Sequence, residues 1–114
     1  MVKTFAEHMD EATIGKVLDY LAATDEKSAE LKMEVQKSKY LAELAEAFAL
    51  KSITVGSIPE KQAEVQMNKD VQGKWDAHFK AIAAYEKVRA RREHGMLLTE
   101  LWRSWNANRR VGNV

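Results

Sequence analysis

From Ile14 to Ala49 two interleaved positions recur every seven residues: Ile14, Leu21, Ser28, Val35, Ala42 and Ala49 at one, Val17, Thr24, Leu31, Ser38 and Ala45 at the other. A seven-residue spacing keeps one narrow face of an α-helix turned towards a partner helix, whereas a strand needs alternation every second residue. The spacing predicts a coiled-coil-like seam on a helix over about 11–50. Its early positions are bulky and its later ones small, so a partner helix is expected to come closest near Ser38, Ala42 and Ala45. Thr24 and Asp25 interrupt the apolar order. Both compete for backbone hydrogen bonds and favour helix starts, so they mark either a kink or the cap of a second helix.

The partner is expected later in the chain. Residues 51–57, with Gly56, read as a connector, and Ser57-Ile58-Pro59-Glu60 has the spacing of a capping box with proline in the first turn. A short helix follows over about 58–66, then Asn68 caps a long helix over about 69–108 and a flexible tail closes the chain at 109–114. Val71, Trp75, Phe79, Ile82, Tyr85, Met96, Leu98 and Trp102 supply its apolar side. A 40-residue helix is ~60 Å long, which only another long helix can match. With 114 residues, one proline and five glycines, little chain remains for loops. The expected fold is all-α: a single domain forming a long antiparallel helical hairpin, coiled-coil-like, with a short connecting helix. Gly73 and Gly95 each weaken the last helix by about 1 kcal/mol relative to alanine, and Gly95 is read as a bend or a close contact.

A second apolar line, Met33, Tyr40, Leu41, Leu44 and Phe48, falls between the seam positions of the first helix. One partner helix cannot cover both sides, so this line is expected to be an oligomer interface and the chain a homo-oligomer.

Charge is unevenly spread. The stretch from Lys87 to Arg110 carries a net +5, which leaves −4 on the residues before it against an overall +1. Lys87, Arg89, Arg91, Arg92, Arg103, Arg109 and Arg110, with Trp105 as a stacking residue, are the candidate nucleic-acid-binding set. The competing reading pairs these arginines with the helix C-terminal dipole and the acidic first helix; it is favoured for Arg89 and Arg91, and nucleic acid for Arg109 and Arg110. Trp75 and Trp102 lie on the apolar line and read as core. Trp105 is either a docking residue or an end plug.

Catalytic signals are poor. The chain has no cysteine, and His8, His78 and His94 lack ligand-spaced neighbours and read as surface residues, so no metal or cofactor is expected. Glu43 and Glu46, like Glu7, Asp10 and Glu11, are interspersed with lysines as on a solvated helix face, and no phosphate-binding glycine loop is present. The expectation is a protein that is not an enzyme. Glu7, His8 and Asp10 interrupt any signal core, and no apolar run approaches the roughly 20 residues that span a bilayer, which together imply the cytoplasm and no membrane partner.

The run Tyr85-Glu86-Lys87-Val88-Arg89-Ala90-Arg91-Arg92, then Glu100-Leu101-Trp102-Arg103-Ser104 and the ending Asn106-Ala107-Asn108-Arg109-Arg110, resembles a family of small helical proteins of tailed phages and prophages. The resemblance covers the last third most clearly and extends to the layout of helices. It implies a setting among recombination and replication genes of a bacterial host cell. The chain is also similar, in size, lysine-rich first helix, connector and aromatic-rich second half, to the recombination mediators of T-even phages; no functional position carries over from them. Together these imply an oligomeric helical scaffold that binds single-stranded DNA and works with recombination or replication proteins of phage or host. The alternative from another class is a helical inhibitor or adaptor of a host or phage enzyme, docking through Trp105 and the second apolar line without touching nucleic acid. A structural component of the virion would share the same scaffold.

Overall fold

The computed structural model describes residues 10–112, and their side chains as far as 108. Among these residues the fold is all-α, with helices α1 (Glu11–Ser52), α2 (Ile58–Met67) and α3 (Lys69–Gly112).

Local chemistry sets the ends of each helix. Asp10 caps α1 by accepting from the Thr13 N–H at 2.6 Å, and Glu11 adds an acid to the first turn. Thr24 and Asp25 neither cap nor break α1. The Thr24 hydroxyl donates back to the Tyr20 carbonyl at 2.7 Å, a bond made inside an unbroken helix. At the far end Ile53 N–H bonds to the Leu50 carbonyl, and the Ser52 hydroxyl to that of Ala49. The connector turns at Gly56, whose φ of 112° lies in the left-handed region that favours glycine. Ser57 then caps α2 and Pro59 fits its first turn. Asn68 stops α2 and starts α3, its Oδ1 accepting from Asp70 N–H and Val71 N–H at 2.9 and 3.2 Å. The last helix runs to Gly112, beyond the end expected near 108, because no breaker precedes that glycine and basic residues suit a helix C-terminus.

The chain gathers into two compact units. One is α1 up to Ser28 with α3 from Lys87 onwards; the other is Ala29–Glu86. In each, α1 and α3 run antiparallel. In the first unit Gly95 packs on Val17 and Leu21, while Arg92 reaches Leu21, Thr24 and Asp25. In the second, His78 meets Ser38 and Trp75 meets Glu46.

Every seam position of α1 is buried or half-buried, from Ile14 through Ser28 in the first unit and from Leu31 through Ala49 in the second. The facing residues of α3 differ from the expected line at two places. Phe79 and Met96 are exposed, and His78 and Gly95 point inwards instead. The inward set of the second unit, Val71, Trp75, His78, Ile82 and Tyr85, alternates steps of four and three, and Phe79 is one residue out of that step.

Small α1 residues explain the exchange. Ser38 and Ala42 leave room for an imidazole, and Ser38 gives it a partner: Ser38 Oγ and His78 Nδ1 lie 3.0 Å apart. Ser38 Oγ also lies 3.0 Å from the Val35 carbonyl, so hydroxyl, imidazole and carbonyl form one polar cluster on the seam. His78 is therefore a buried core residue and not the surface histidine expected; the Trp75 ring stands edge-on to it at 5.6 Å.

Gly95 is a close contact rather than a bend. A Cβ there would lie 3.1 Å from Val17 Cγ1 and 3.6 Å from Leu21 Cδ2, whereas one at Gly73 would meet nothing within 4 Å. Gly73→Ala should therefore raise stability by about 0.5–1 kcal/mol, while Gly95→Val should lower it by about 1–3 kcal/mol through overpacking. Urea melts followed by helical circular dichroism check both signs.

Candidate nucleic-acid interface

The basic stretch of α3 begins in the first unit at Lys87, and its cations divide into two groups. Arg92 belongs to the protein's own fold. Its side chain is only 15% exposed, and its guanidinium donates to the Leu21 carbonyl and Thr24 Oγ1, both at 2.7 Å, and to Asp25 Oδ1 at 3.1 Å. That corrects its expected role as a phosphate ligand: a residue so committed has few donors left. Arg89 donates to Glu93 Oε1, one turn on, at 2.7 Å. The pair is largely solvated and contributes little to stability, but it places a carboxylate beside the cation.

Lys87, Arg91 and Arg103 are exposed, and Trp105 is half-buried. Arg109 and Arg110 lie in the helical backbone, and their side chains fall outside the described residues. At about 100° per residue, Arg91, Lys87, His94, Leu98 and Trp105 fall within about 60° of one another around α3, while Arg103 sits about 120° from Arg91. The expected set is thus not one surface. Lys87, Arg91 and Trp105 share a side, and Arg89 and Arg103 face elsewhere.

That side borders a groove of about 590 Å³ between the two helices of the first unit. Thr13, Lys16, Val17 and Tyr20 form its α1 wall, and Ala90, Arg91, His94, Gly95 and Leu98 its α3 wall. Its lining is mostly apolar, includes Lys16, Arg91 and His94, and contains no carboxylate. Two grooves of similar size in the second unit differ in charge: one carries Glu43 and Glu46, the other Glu46 and Asp76. Glu46 also accepts from the Trp75 indole N–H, which accounts for it as a structural partner.

Sequence reasoning missed Lys16, Tyr20, His94 and Leu98. The signal was partly present, since Lys16 and Tyr20 are four apart beside the seam residue Val17 and so share a helix side. What they oppose depends on the pairing register. The exposed line Met33, Tyr40, Leu41, Leu44 and Phe48 belongs to the second unit and takes no part in this groove.

Among the described residues no three metal-ligating side chains come together, and no helix is long and apolar enough to cross a membrane. No protein-family model, curated protein or solved structure matches this chain.

Replacing Arg92 by methionine should cost about 1–3 kcal/mol in a urea melt, the range for a charge-assisted hydrogen bond to a part-buried group, and leave affinity for a polyanion unchanged. An equally stable variant would return Arg92 to the surface array.

Proposed function

We propose that the protein is an accessory factor of phage DNA recombination or replication, acting inside a bacterial cell, that binds single-stranded DNA through the basic groove of its first unit. The observation that supports this reading is the composition of that groove: Lys16 and Arg91 with His94, a tyrosine and a mostly apolar lining, with no acid.

Each component has a task in such binding. Lys16 and Arg91 neutralise phosphates and release their counterions, and Tyr20 offers a ring on which an unpaired base stacks. Leu98 and Val17 give the base an apolar bed. A duplex hides its base faces within its own stack, so the groove suits a single strand. Stacking on a ring and neutralisation of phosphates suit every base alike, so this mode of binding tolerates sequence. Two cations, Lys16 and Arg91, make each contact weak, and a scaffold that presents several grooves on one strand multiplies it through effective concentration. The rival reading, an adaptor that ignores nucleic acid, draws on the exposed apolar line of the second unit.

Titrating the tryptophan fluorescence with single-stranded and double-stranded oligonucleotides at two salt concentrations tests the assignment. The single strand should bind more tightly, with a log–log salt slope near −1.5 to −2 per groove. Lys16→Glu with Arg91→Glu should weaken binding about tenfold or more and flatten that slope, and Tyr20→Ala should weaken it with the slope unchanged. Equal binding by the parent and the double variant at both salts overturns the groove assignment, and a flat titration for the parent favours the adaptor.

A further inference from the structure

In the second unit, Met33, Tyr40 and Phe48 are each more than 60% exposed, and Leu41 and Leu44 more than a third. They lie on α1 on the flank away from Glu46, which α3 engages through Trp75. At about 100° per residue, Glu30, Met33, Lys37, Tyr40, Leu41, Leu44, Phe48 and Lys51 occupy one ridge about 100° wide. Large side chains of about 200 Å² each leave roughly 500 Å² of the five apolar ones open, the upper end of what a monomer normally shows. The stems of Glu30, Lys37 and Lys51 bring the ridge near the ~800 Å² that each partner contributes to a stable complex.

The order of residues along the ridge selects its partner. A midpoint between Tyr40 and Leu41 places Met33 level with Phe48, Lys37 with Leu44, and Glu30 with Lys51. We infer that this ridge packs on the same ridge of a second copy, antiparallel, about a twofold axis between Tyr40 and Leu41. In that arrangement Tyr40 and Leu41 of both copies surround the axis, and each Glu30 meets the other copy's Lys51, giving two attractive pairs at the rim. A parallel pairing sets Glu30, Lys37 and Lys51 each against its own copy, which is repulsive at every charged step. Lys37 lays its aliphatic stem beside Leu44 and carries its ammonium out to water. The ridge shares no residue with the groove of the first unit, so this inference and the DNA assignment fail independently.

The absence of cysteine gives a clean test in the full chain. Leu41→Cys, next to the axis, should form a covalent dimer with a short thiol crosslinker. Phe48→Cys alone should not, because its copies lie about 22 Å apart along the helix. A mixture of Met33→Cys and Phe48→Cys chains should crosslink to each other. Sedimentation of the parent should show a dimer, Glu30→Lys should weaken it about tenfold, and Glu30→Lys with Lys51→Glu should restore it. Circular dichroism confirms that these exposed-site variants stay helical. Self-crosslinking at both Leu41→Cys and Phe48→Cys means a parallel pair and overturns the inference. A parent that stays monomeric at 100 μM, about the concentration at which a weak dimer still forms, also overturns it and leaves the ridge to a different protein.

Discussion

The pairing of α1 with α3 depends on how near the two backbones can lie, and small side chains set that distance. Gly95 meets Val17 and Leu21 in the first unit, and Ser38 and Ala42 make the corresponding room in the second. Large side chains at these points would push the helices apart, and their neighbours would lose contacts that decline steeply with separation. A seam of this kind has a weakness. Its repeat is nearly the same after a shift of seven residues, so apolar packing alone distinguishes poorly between registers.

Two polar contacts supply the distinction. His78 hydrogen-bonds with Ser38, whose hydroxyl also lies beside the Val35 carbonyl, and Arg92 spans Leu21, Thr24 and Asp25. A shift by one heptad would move His78 and Arg92 away from these partners and leave part-buried polar groups unpaired, a larger penalty than the loss of any single apolar contact. Among the described residues no buried side-chain nitrogen or oxygen lacks a partner. The register that lets Arg92 reach Leu21, Thr24 and Asp25 also brings Lys16 and Tyr20 opposite Arg91 and His94. Groove and fold therefore share one determinant.

Charge is divided between structure and surface in a way that residue counting does not reveal. Lys87, Arg89, Arg91 and Arg92 are close neighbours in sequence, yet Arg92 closes on α1, Arg89 pairs along its own helix, and Arg91 borders an acid-free groove. Helical geometry separates them, since adjacent positions point about 100° apart. The exposed apolar line of α1 belongs to the second unit and the acid-free groove to the first.

The sequence by itself determined the helices, the seam and the caps. Ser57 and Asn68 are caps because their side chains reach N–H groups only two or three residues away, and the seam of α1 follows from a period that needs no partner to be recognised. The outward line from Met33 to Phe48 was legible for the same reason. Only the tertiary structure decided that His78 and Gly95, not Phe79 and Met96, face inwards, that Thr24 serves Arg92 instead of capping a helix, and that Lys16 and Tyr20 share a groove with Arg91. Each of these depends on which residue of α3 stands opposite which residue of α1, across 68 to 71 positions of chain for the Arg92 contacts with Thr24 and Leu21. Helical periodicity fixes direction around one axis, but the alignment of two axes is chosen by packing and by the pairing of buried polar groups.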